Sequence, residues 1–214
     1  MHILFNLIQK ILLYCLFSAI YKDFFATIIN MIVVYNSKGG VGKSALSYSL
    51  STDLETQLLS NDENQFLGYH PESKLYLNET MPIIRDAVYD LGGFETPFIE
   101  DVLEAASVII IPVTVDFNSM KRGVQILKEF KHKKLLLVAN QIENTDDFDY
   151  IKEIVKREVN TVIYPLKRSI IFRRSLETGM SVKQLYEESG LSKYSYRGIF
   201  KQYEAILKSL ENSQ

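Results

Sequence analysis

A glycine-rich turn that carries two lysines is the part of this sequence best equipped for chemistry. Residues 37–44, SKGGVGKS, fit the phosphate-loop pattern G-x-x-x-x-G-K-[ST], except that Ser37 replaces the first glycine. In such a loop, successive backbone N–H groups converge on a phosphate at the N-terminus of the following helix. The glycines allow close approach because they carry no Cβ atom. The stretch therefore predicts a site for the phosphates of a nucleotide.

Polar side chains at and near the loop predict how the phosphates would be held. Lys43 would reach the β- and γ-phosphates, and the hydroxyl of Ser44 would ligate Mg²⁺. Asp90 ends the apolar run AVYD and precedes two glycines, which suits either a turn residue or a metal ligand. The loop upstream favours the metal role, because a carboxylate at the end of a neighbouring buried strand commonly holds Mg²⁺. The predicted nucleotide-binding residues of the loop are Gly39, Gly40, Val41, Gly42, Lys43 and Ser44.

Short apolar runs alternate with helical patterns from Met31 onward. The predicted strands are MIVVYN, TQLLSND, RDAVYDLGG, SVIIIPV, KLLLVAN and NTVIYPL, and the helices between them include SALSYSLSTDL, SMKRGVQILKEFK and DDFDYIKEIVKREV. The continuous apolar run SVIIIPV is typical of a strand buried on both faces. The alternation predicts an α/β fold, a single doubly wound and mostly parallel sheet with helices on both faces, formed by residues 31–214.

The first thirty residues differ from the rest of the chain. An uncharged apolar run, ILLYCLFSAIY, lies between Lys10 and Lys22 and is shorter than the roughly 20 residues that a membrane span needs. No clear small-x-small cleavage site follows it, which argues against a signal peptide. We expect residues 1–30 to lie outside the core sheet, either as an upstream extension of the reading frame or as an appended amphipathic segment.

The composition and charge of this 214-residue chain exclude some kinds of site and favour one kind of binding partner. Cys15 is the only cysteine, so a disulfide within the chain, a four-cysteine zinc site and a cysteine-rich cluster are excluded. The formal net charge is -2, yet residues 151–214 contain 12 Lys and Arg against 7 Asp and Glu, a local net charge of about +5. This basic C-terminal third favours a surface that faces a polyanion, with ordinary solvated helix faces as the alternative.

The stretch KGGVGKS resembles the deviant Walker A motif of the ParA/MinD ATPases. The resemblance extends through YDLGG, SVIIIPVTVDFNSMKRGVQIL and SLETGMSV, and covers nearly everything from Met31 onward. It is closest to the small plasmid-partition ParA proteins that lack an N-terminal DNA-binding domain. The resemblance implies a P-loop NTPase fold, ATP and Mg²⁺ as cofactors, and a weak intrinsic ATPase activity.

The resemblance also assigns roles to individual residues. Lys38 matches the signature lysine, which in this family reaches across a dimer interface to the nucleotide of the partner subunit. ATP would then favour a homodimer, because the second subunit adds a cation to the phosphates, and hydrolysis would release it. Asp62 falls on the position that orients the attacking water. The implied catalytic residues are therefore Lys38, Lys43 and Asp62.

Two parts of the resemblance are looser. The family pattern D-x-D-P-Q is replaced here by SNDEN, residues 60–64. A solvated turn is therefore the alternative for Asp62, and Glu63 is the next candidate for the water-orienting role. Asn140 matches a position that contacts the adenine edge, with a cap or turn as the alternative, and Pro165 would help to wall the base pocket.

Three functions compete for this chain. The leading one is a DNA-partition ATPase that dimerises on ATP, binds DNA nonspecifically and is released when a ParB-like centromere-binding adaptor protein stimulates hydrolysis. Such a protein would be cytoplasmic and nucleoid-associated, with no membrane partner. A MinD-like membrane-cycling or cargo-positioning ATPase is the alternative, because apolar residues recur at helical spacing along YRGIFKQYEAILKSL and because the apolar N-terminal run could serve as an anchor instead. The altered SNDEN segment suggests a non-enzymatic nucleotide-binding scaffold as the third. The predicted DNA-binding residues are Lys167, Arg168, Arg173 and Arg174. Further basic residues of the same third support this function, namely Lys183, Lys193, Arg197 and Lys201.

Overall fold

Strands and helices alternate along the part of the chain that the structure describes. The structure, a computed structural model, describes residues 31–63, 65–70, 72–77, 80–93 and 98–211. The expectation for residues 1–30 lies outside these ranges. The strands are β1 (Ile32–Tyr35), β2 (Gln57–Ser60), β3 (Ser73–Leu75), β4 (Ala87–Leu91), β5 (Val108–Val113), β6 (Lys134–Ile142) and β7 (Ile163–Lys167). The helices are α1 (Lys43–Asp53), α2 (Phe98–Ala105), α3 (Phe117–Glu129), α4 (Thr145–Glu158), α5 (Ile170–Thr178), α6 (Val182–Glu187) and α7 (Gly190–Glu211), with a 3₁₀ turn at Gln65–Tyr69.

The strands form one 7-stranded sheet of order β3-β2-β4-β1-β5-β6-β7. Every described pair of neighbouring strands is parallel, which confirms the predicted α/β fold with helices on both faces. The sequence does not predict β3, because this edge strand has the sequence SKL and is largely exposed. A three-residue polar edge strand has no apolar run to reveal it.

Alternating side chains of the central strands supply two separate cores, one on each face of the sheet. In β1, Val33 and Tyr35 belong to one core, and Ile32 and Val34 belong to the other. The first core packs against α2, α3 and α4. The second core packs against α1, α5, α6 and α7. The helix that follows the phosphate loop and the three C-terminal helices therefore share one face.

The apolar face of α7 is used inside the fold. Ile199, Tyr203, Ile206 and Leu210 are buried in the second core. The recurring apolar residues of this segment therefore pack on the protein's own sheet, which removes the sequence signal for an amphipathic membrane helix at this position. Among the described helices, none is long and apolar enough to cross a membrane.

The sheet opens at the C-terminal end of β1, and this opening positions the site. The last residue pair between β1 and β5 is Val34 with Ile110. Pro112 lies beyond this pair, so its missing N–H removes no hydrogen bond between the two strands. The buried side chain of Asn36 fills the gap, because its amide donates to the backbone oxygens of Pro112 at 2.9 Å and Ser119 at 3.2 Å. In open parallel sheets, ligands bind at such strand ends.

Candidate nucleotide-binding site

The phosphate loop, residues 37–44, joins β1 to the first turn of α1 and turns at two glycines. Gly40 has φ +76° and Gly42 has φ +85°, which L side chains rarely adopt. The side-chain oxygen of Asn36 accepts a hydrogen bond of 2.9 Å from the backbone N–H of Lys38 and orders the start of the loop. Gly42 offers α1 no side-chain cap. The first N–H groups of this helix are thus the kind that bind phosphate.

Two side-chain amides at the end of β6 support the loop. Asn140 Nδ2 donates to the backbone oxygen of Val41 at 2.7 Å, and Gln141 Nε2 donates to that of Gly40 at 3.0 Å. Gln141 has φ +57° and lies at an irregularity between β6 and β7, which turns its side chain to the loop. A Cβ atom at Gly42 would lie 2.4 Å from Asn140 Nδ2. The glycine is therefore required by this close contact as well as by its φ angle.

The two lysines of the loop have different surroundings. Lys43 is buried, and its ammonium donates to the backbone oxygen of Lys38 at 3.1 Å. Burial lowers the pKa of Lys43, while the nearby carboxylates of Asp90 and Asp62 act in the opposite direction. The ammonium of Lys38 makes no hydrogen bond or ion pair with the residues that the structure describes. Its predicted contact with a partner subunit stays a prediction.

A cavity of about 470 Å³ lies over the loop and brings several predicted site residues together. Leu176 of α5 and Gly93, after β4, also line it; both lie in stretches that carry the resemblance, SLETGMSV and YDLGG, but neither was predicted as a site residue. We call this space the phosphate cavity. Its lining residues are Ser37, Gly39, Gly40, Gly42, Lys43, Ser44, Ala45, Asp62, Gly93 and Leu176.

Asp90, in β4, is a buried carboxylate with an unused oxygen. Ser47 Oγ donates to Oδ1 at 3.3 Å, whereas Oδ2 is buried and has no hydrogen-bond partner among the described residues. Burial raises the pKa of Asp90 to about 6, and the Ser44 hydroxyl and the Lys43 ammonium oppose this rise. Mg²⁺ prefers oxygen ligands and is usually bound through one or two protein oxygens together with phosphates. An orphaned carboxylate oxygen near the Ser44 hydroxyl fits that requirement.

The residues after β2 are ordered by their own polar groups. Ser60 Oγ donates to the backbone oxygen of Asp62 at 3.0 Å and accepts from its N–H at 3.1 Å. The buried side chain of Asn61 accepts a hydrogen bond of 2.5 Å from the N–H of Gly92. These contacts hold Asp62 at the phosphate cavity in spite of the altered motif. The water-orienting role of Asp62 stays a prediction, as does that of Glu63, which is exposed.

Arg122 of α3 is a loop contact that the sequence does not reveal. Its Nη1 donates to the backbone oxygen of Ser37 at 2.9 Å and to Ser37 Oγ at 3.0 Å. The same backbone oxygen lies 2.4 Å from where a Cβ atom of Gly93 would be. The serine that replaces the first glycine of the pattern thus adds an acceptor for α3. In the sequence, the only sign of this contact is the presence of Ser37 in place of the first glycine, because Arg122 lies 85 positions further along the chain.

Asn140 and Pro165, the predicted base-pocket residues, lie on neighbouring strands. In the β6–β7 register, Pro165 is opposite Ala139 and Leu166 is opposite Asn140. The structure therefore brings the two residues together at one end of the sheet. The side-chain amide of Asn140 contacts the phosphate loop, and contact of either residue with adenine stays a prediction.

The arginines predicted to bind DNA are paired with other side chains. Lys167 is exposed and has no ion pair within the described residues. Exposed ion pairs are weak, so these arginines can exchange partners, and their contact with DNA stays a prediction. The pairs are Arg168 with Glu143 at 2.9 Å, Arg173 with Glu177 at 3.4 Å, and Arg174 with Glu188 at 3.4 Å and with the Tyr196 hydroxyl at 3.0 Å.

A phosphate loop between a central parallel strand and its helix, with an acidic residue on the adjacent strand, defines a P-loop NTPase fold. The fold is that of the ParA, McdA and MinD ATPases, to whose solved structures this chain is similar. The sequence identities are 11–17%, so the likeness concerns the fold. No protein-family model and no curated protein sequence matches the chain.

Three of these structures illustrate the similarity. McdA from Cyanothece, an aspartate-to-alanine variant in complex with ATP, is 13% identical, with a TM-score of 0.59 over 86% of this chain and 96% of that one. A Borrelia burgdorferi protein assigned to plasmid partition, bound to AMPPNP, is 15% identical, with a TM-score of 0.56 over 83% and 96%. MinD from Pyrococcus horikoshii, complexed with Mg-ADP, is 11% identical, with a TM-score of 0.59 over 86% and 98%.

Proposed function

We propose that this protein is an ATPase of the ParA/MinD type that acts in DNA partition. The observation that carries the proposal is the convergence of buried polar groups at the phosphate loop. The ammonium of Lys43 and the orphaned Oδ2 of Asp90 are both kept out of water without a full set of protein partners. Buried polar groups of this kind are costly unless a ligand completes them. A magnesium–nucleotide complex supplies both the anion and the cation that they lack.

Each group of the site has a defined task in this proposal. The loop N–H groups and Lys43 bind the phosphates, and Ser44 and Asp90 hold Mg²⁺, which neutralises charge on the phosphate oxygens. Asp62, at the edge of the phosphate cavity, orients the attacking water. Hydrolysis by one subunit alone is slow, roughly 10⁻²–10⁻⁴ s⁻¹, as expected for P-loop enzymes without an activator. A ParB-like adaptor protein would accelerate it.

Lys38 makes the response to ATP depend on a second subunit. Lys38 belongs to the phosphate loop, yet its ammonium has no hydrogen-bond or ion-pair partner among the described residues, unlike that of Lys43. In a face-to-face dimer it would reach the phosphates of the other subunit. The contact would be stronger with ATP than with ADP, because the γ-phosphate adds negative charge. ATP therefore favours the homodimer, and hydrolysis releases it.

DNA, rather than a membrane, is the surface that we propose for the dimer. The basic C-terminal third suits a polyanion. Membrane cycling would need a free amphipathic segment, and among the described helices the apolar side of α7, the helical candidate that the sequence offers, is buried against the sheet.

Substitution of the two loop lysines tests the proposal. Lys43→Ala should lower ATP affinity at least tenfold, because it deletes a buried cation that faces the phosphates. Lys38→Ala should still bind ATP but should lose ATP-dependent dimerisation. Isothermal titration calorimetry measures the first effect, and light scattering with ADP and with ATP measures the second.

Each variant serves as the control for the other. Unchanged ATP affinity in Lys43→Ala would overturn the phosphate-loop assignment. Normal ATP-dependent dimerisation of Lys38→Ala would overturn the cross-subunit role and leave nucleotide binding in place.

A further inference from the structure

The outward face of α7 carries a row of unpaired cations. Lys193, Arg197 and Lys201 are spaced by four residues, so they lie on one side of the helix. All three are exposed, and none has an ion pair or side-chain hydrogen bond within the described residues. We call Lys193, Arg197 and Lys201 the basic stripe of α7. This stripe differs from Arg168, Arg173 and Arg174, each of which already contacts a carboxylate.

The fold presents the stripe away from the core. The opposite side of α7 is buried through Ile199 and Tyr203. No aspartate or glutamate occurs between Gly190 and Tyr203. The first acidic residue beyond this stretch, Glu204, is bound to Lys208 at 3.0 Å. The first four turns or so of α7 therefore expose positive charge that no acidic residue of the same stretch neutralises.

Two further features of this face favour close contact with a large partner. Gly198 lies in the helix interior, where glycine is unfavourable, and no atom would contact a Cβ atom there. Packing within the described chain therefore does not require this glycine. Its small size lowers the outward helix surface beside Lys201, three residues further along the chain. Tyr194, on the same side, is 85% exposed.

We infer that the basic stripe of α7 is the surface that contacts the phosphate backbone of duplex DNA. This inference rests on the proposed function and identifies the DNA-binding surface within it. The distance from Lys193 to Lys201 along the helix is about 12 Å. Because phosphates of one DNA strand recur every 3.4 Å or so along the duplex axis, the stripe spans roughly three of them. These cations form no ion pair that would have to break before they contact the DNA phosphates.

The geometry favours DNA over an anionic membrane surface. A peripheral membrane helix inserts apolar residues next to its cations. The large apolar residues of α7, apart from Leu191 and Tyr194, face the core or are partly buried. A row of cations without an adjacent apolar stripe suits a regular line of phosphates. Contacts of this type carry no base information, so little sequence preference is expected.

The salt dependence of DNA affinity tests the stripe. Three contacts from each of two subunits predict a slope of log K against log[salt] of roughly -5 in the presence of ATP. The variant Arg197→Gln/Lys201→Gln should reduce the magnitude of this slope by about two for each subunit. Lys152→Gln/Lys156→Gln is the matched control, because these lysines are also exposed, unpaired within the described residues and four positions apart, but lie on α4 over the other face of the sheet.

The experiment measures fluorescence anisotropy of a mixed-sequence duplex with the full chain and Mg-ATP at several salt concentrations. ATP-dependent dimerisation of each variant is measured in parallel. A reduced slope in the α7 variant alone, with dimerisation intact, supports the stripe. A parental slope in that variant, or an equal loss in both variants, overturns it while leaving the proposed ATPase untouched. Failure of the parent to bind ATP overturns the proposed function instead. Sedimentation of the parent with phosphatidylglycerol vesicles, without DNA binding in any nucleotide state, overturns both the stripe and the partition role.

Discussion

The phosphate loop and the basic stripe of α7 both gather cations, but they hold them in opposite ways. The ammonium of Lys43 is buried, contacts a backbone oxygen and has a pKa lowered by that burial. The cations of the stripe are exposed and form no side-chain hydrogen bond or ion pair with the described residues. A buried cation is fixed in one place and selects a ligand of defined shape. Exposed cations remain hydrated and mobile, so they suit a partner recognised by charge alone.

Because close contacts fix the phosphate loop, one added methyl group can destabilise the protein. The largest loss of stability is therefore expected from substitution of the three loop glycines. Gly42→Ala combines a positive φ with a Cβ atom 2.4 Å from Asn140 Nδ2, and should lower the free energy of unfolding by about 2–5 kcal/mol. Gly40 also has a positive φ, but a Cβ atom there would lie in open space, so Gly40→Ala should lower the free energy of unfolding by only about 1–2 kcal/mol. Urea unfolding of the nucleotide-free variants measures both effects.

Gly39→Ala is the control for this series. A Cβ atom at Gly39 would meet nothing within 4 Å, and its φ is outside the left-handed region. The stability of Gly39→Ala should therefore equal or slightly exceed that of the parent protein. Equal stability of all three variants would show that the loop is not held by the contacts seen here.

Only part of the site could be predicted from the sequence, because some of its groups are consecutive in the chain and others are far apart. The loop was predictable because its chemistry depends on consecutive residues, and the sheet was predictable because apolar runs recur between helical patterns. Arg122 and Gln141 could not be predicted as loop contacts, since they approach it only after β5 and β6 have joined the sheet. Counting basic residues likewise could not separate the paired Arg168 from the unpaired Arg197, because Glu143 is brought to Arg168 by the fold.

A second prediction concerns Asp90, the buried anion beside the buried cation of the loop. Burial raises its pKa from 3.8 to about 6, which corresponds to roughly 3 kcal/mol. Because the folded protein binds this proton more tightly than the unfolded chain, its contribution to stability falls as the pH rises from about 4 to about 6. Above pH 6 the cost is fully present.

Asp90→Asn should remove this cost. In nucleotide-free and magnesium-free protein, the variant should be more stable than the parent by up to roughly 3 kcal/mol at pH 7.5, with the difference disappearing towards pH 4. The same variant should bind ATP with a weaker dependence on magnesium. Urea unfolding across this pH range measures the first effect, and a difference that does not change with pH would contradict the origin given for it.

The smallest effect on stability and on DNA binding is expected for substitution of Arg173. Unlike the cations of the stripe, this arginine forms an ion pair with a carboxylate. Its contact with Glu177 at 3.4 Å joins two exposed side chains one helical turn apart. Such pairs contribute little to stability, so Arg173→Gln should change the melting temperature by less than about 2 °C. If the unpaired cations of the stripe make the phosphate contacts, this variant should also leave the salt slope of DNA binding close to the parental value, while Arg197→Gln reduces its magnitude by about one for each subunit. The opposite ranking of the two arginines would mean that the carboxylate is exchanged readily for phosphate. The basic surface would then be defined by the number of its charges, and their pairing in the free protein would be irrelevant to binding.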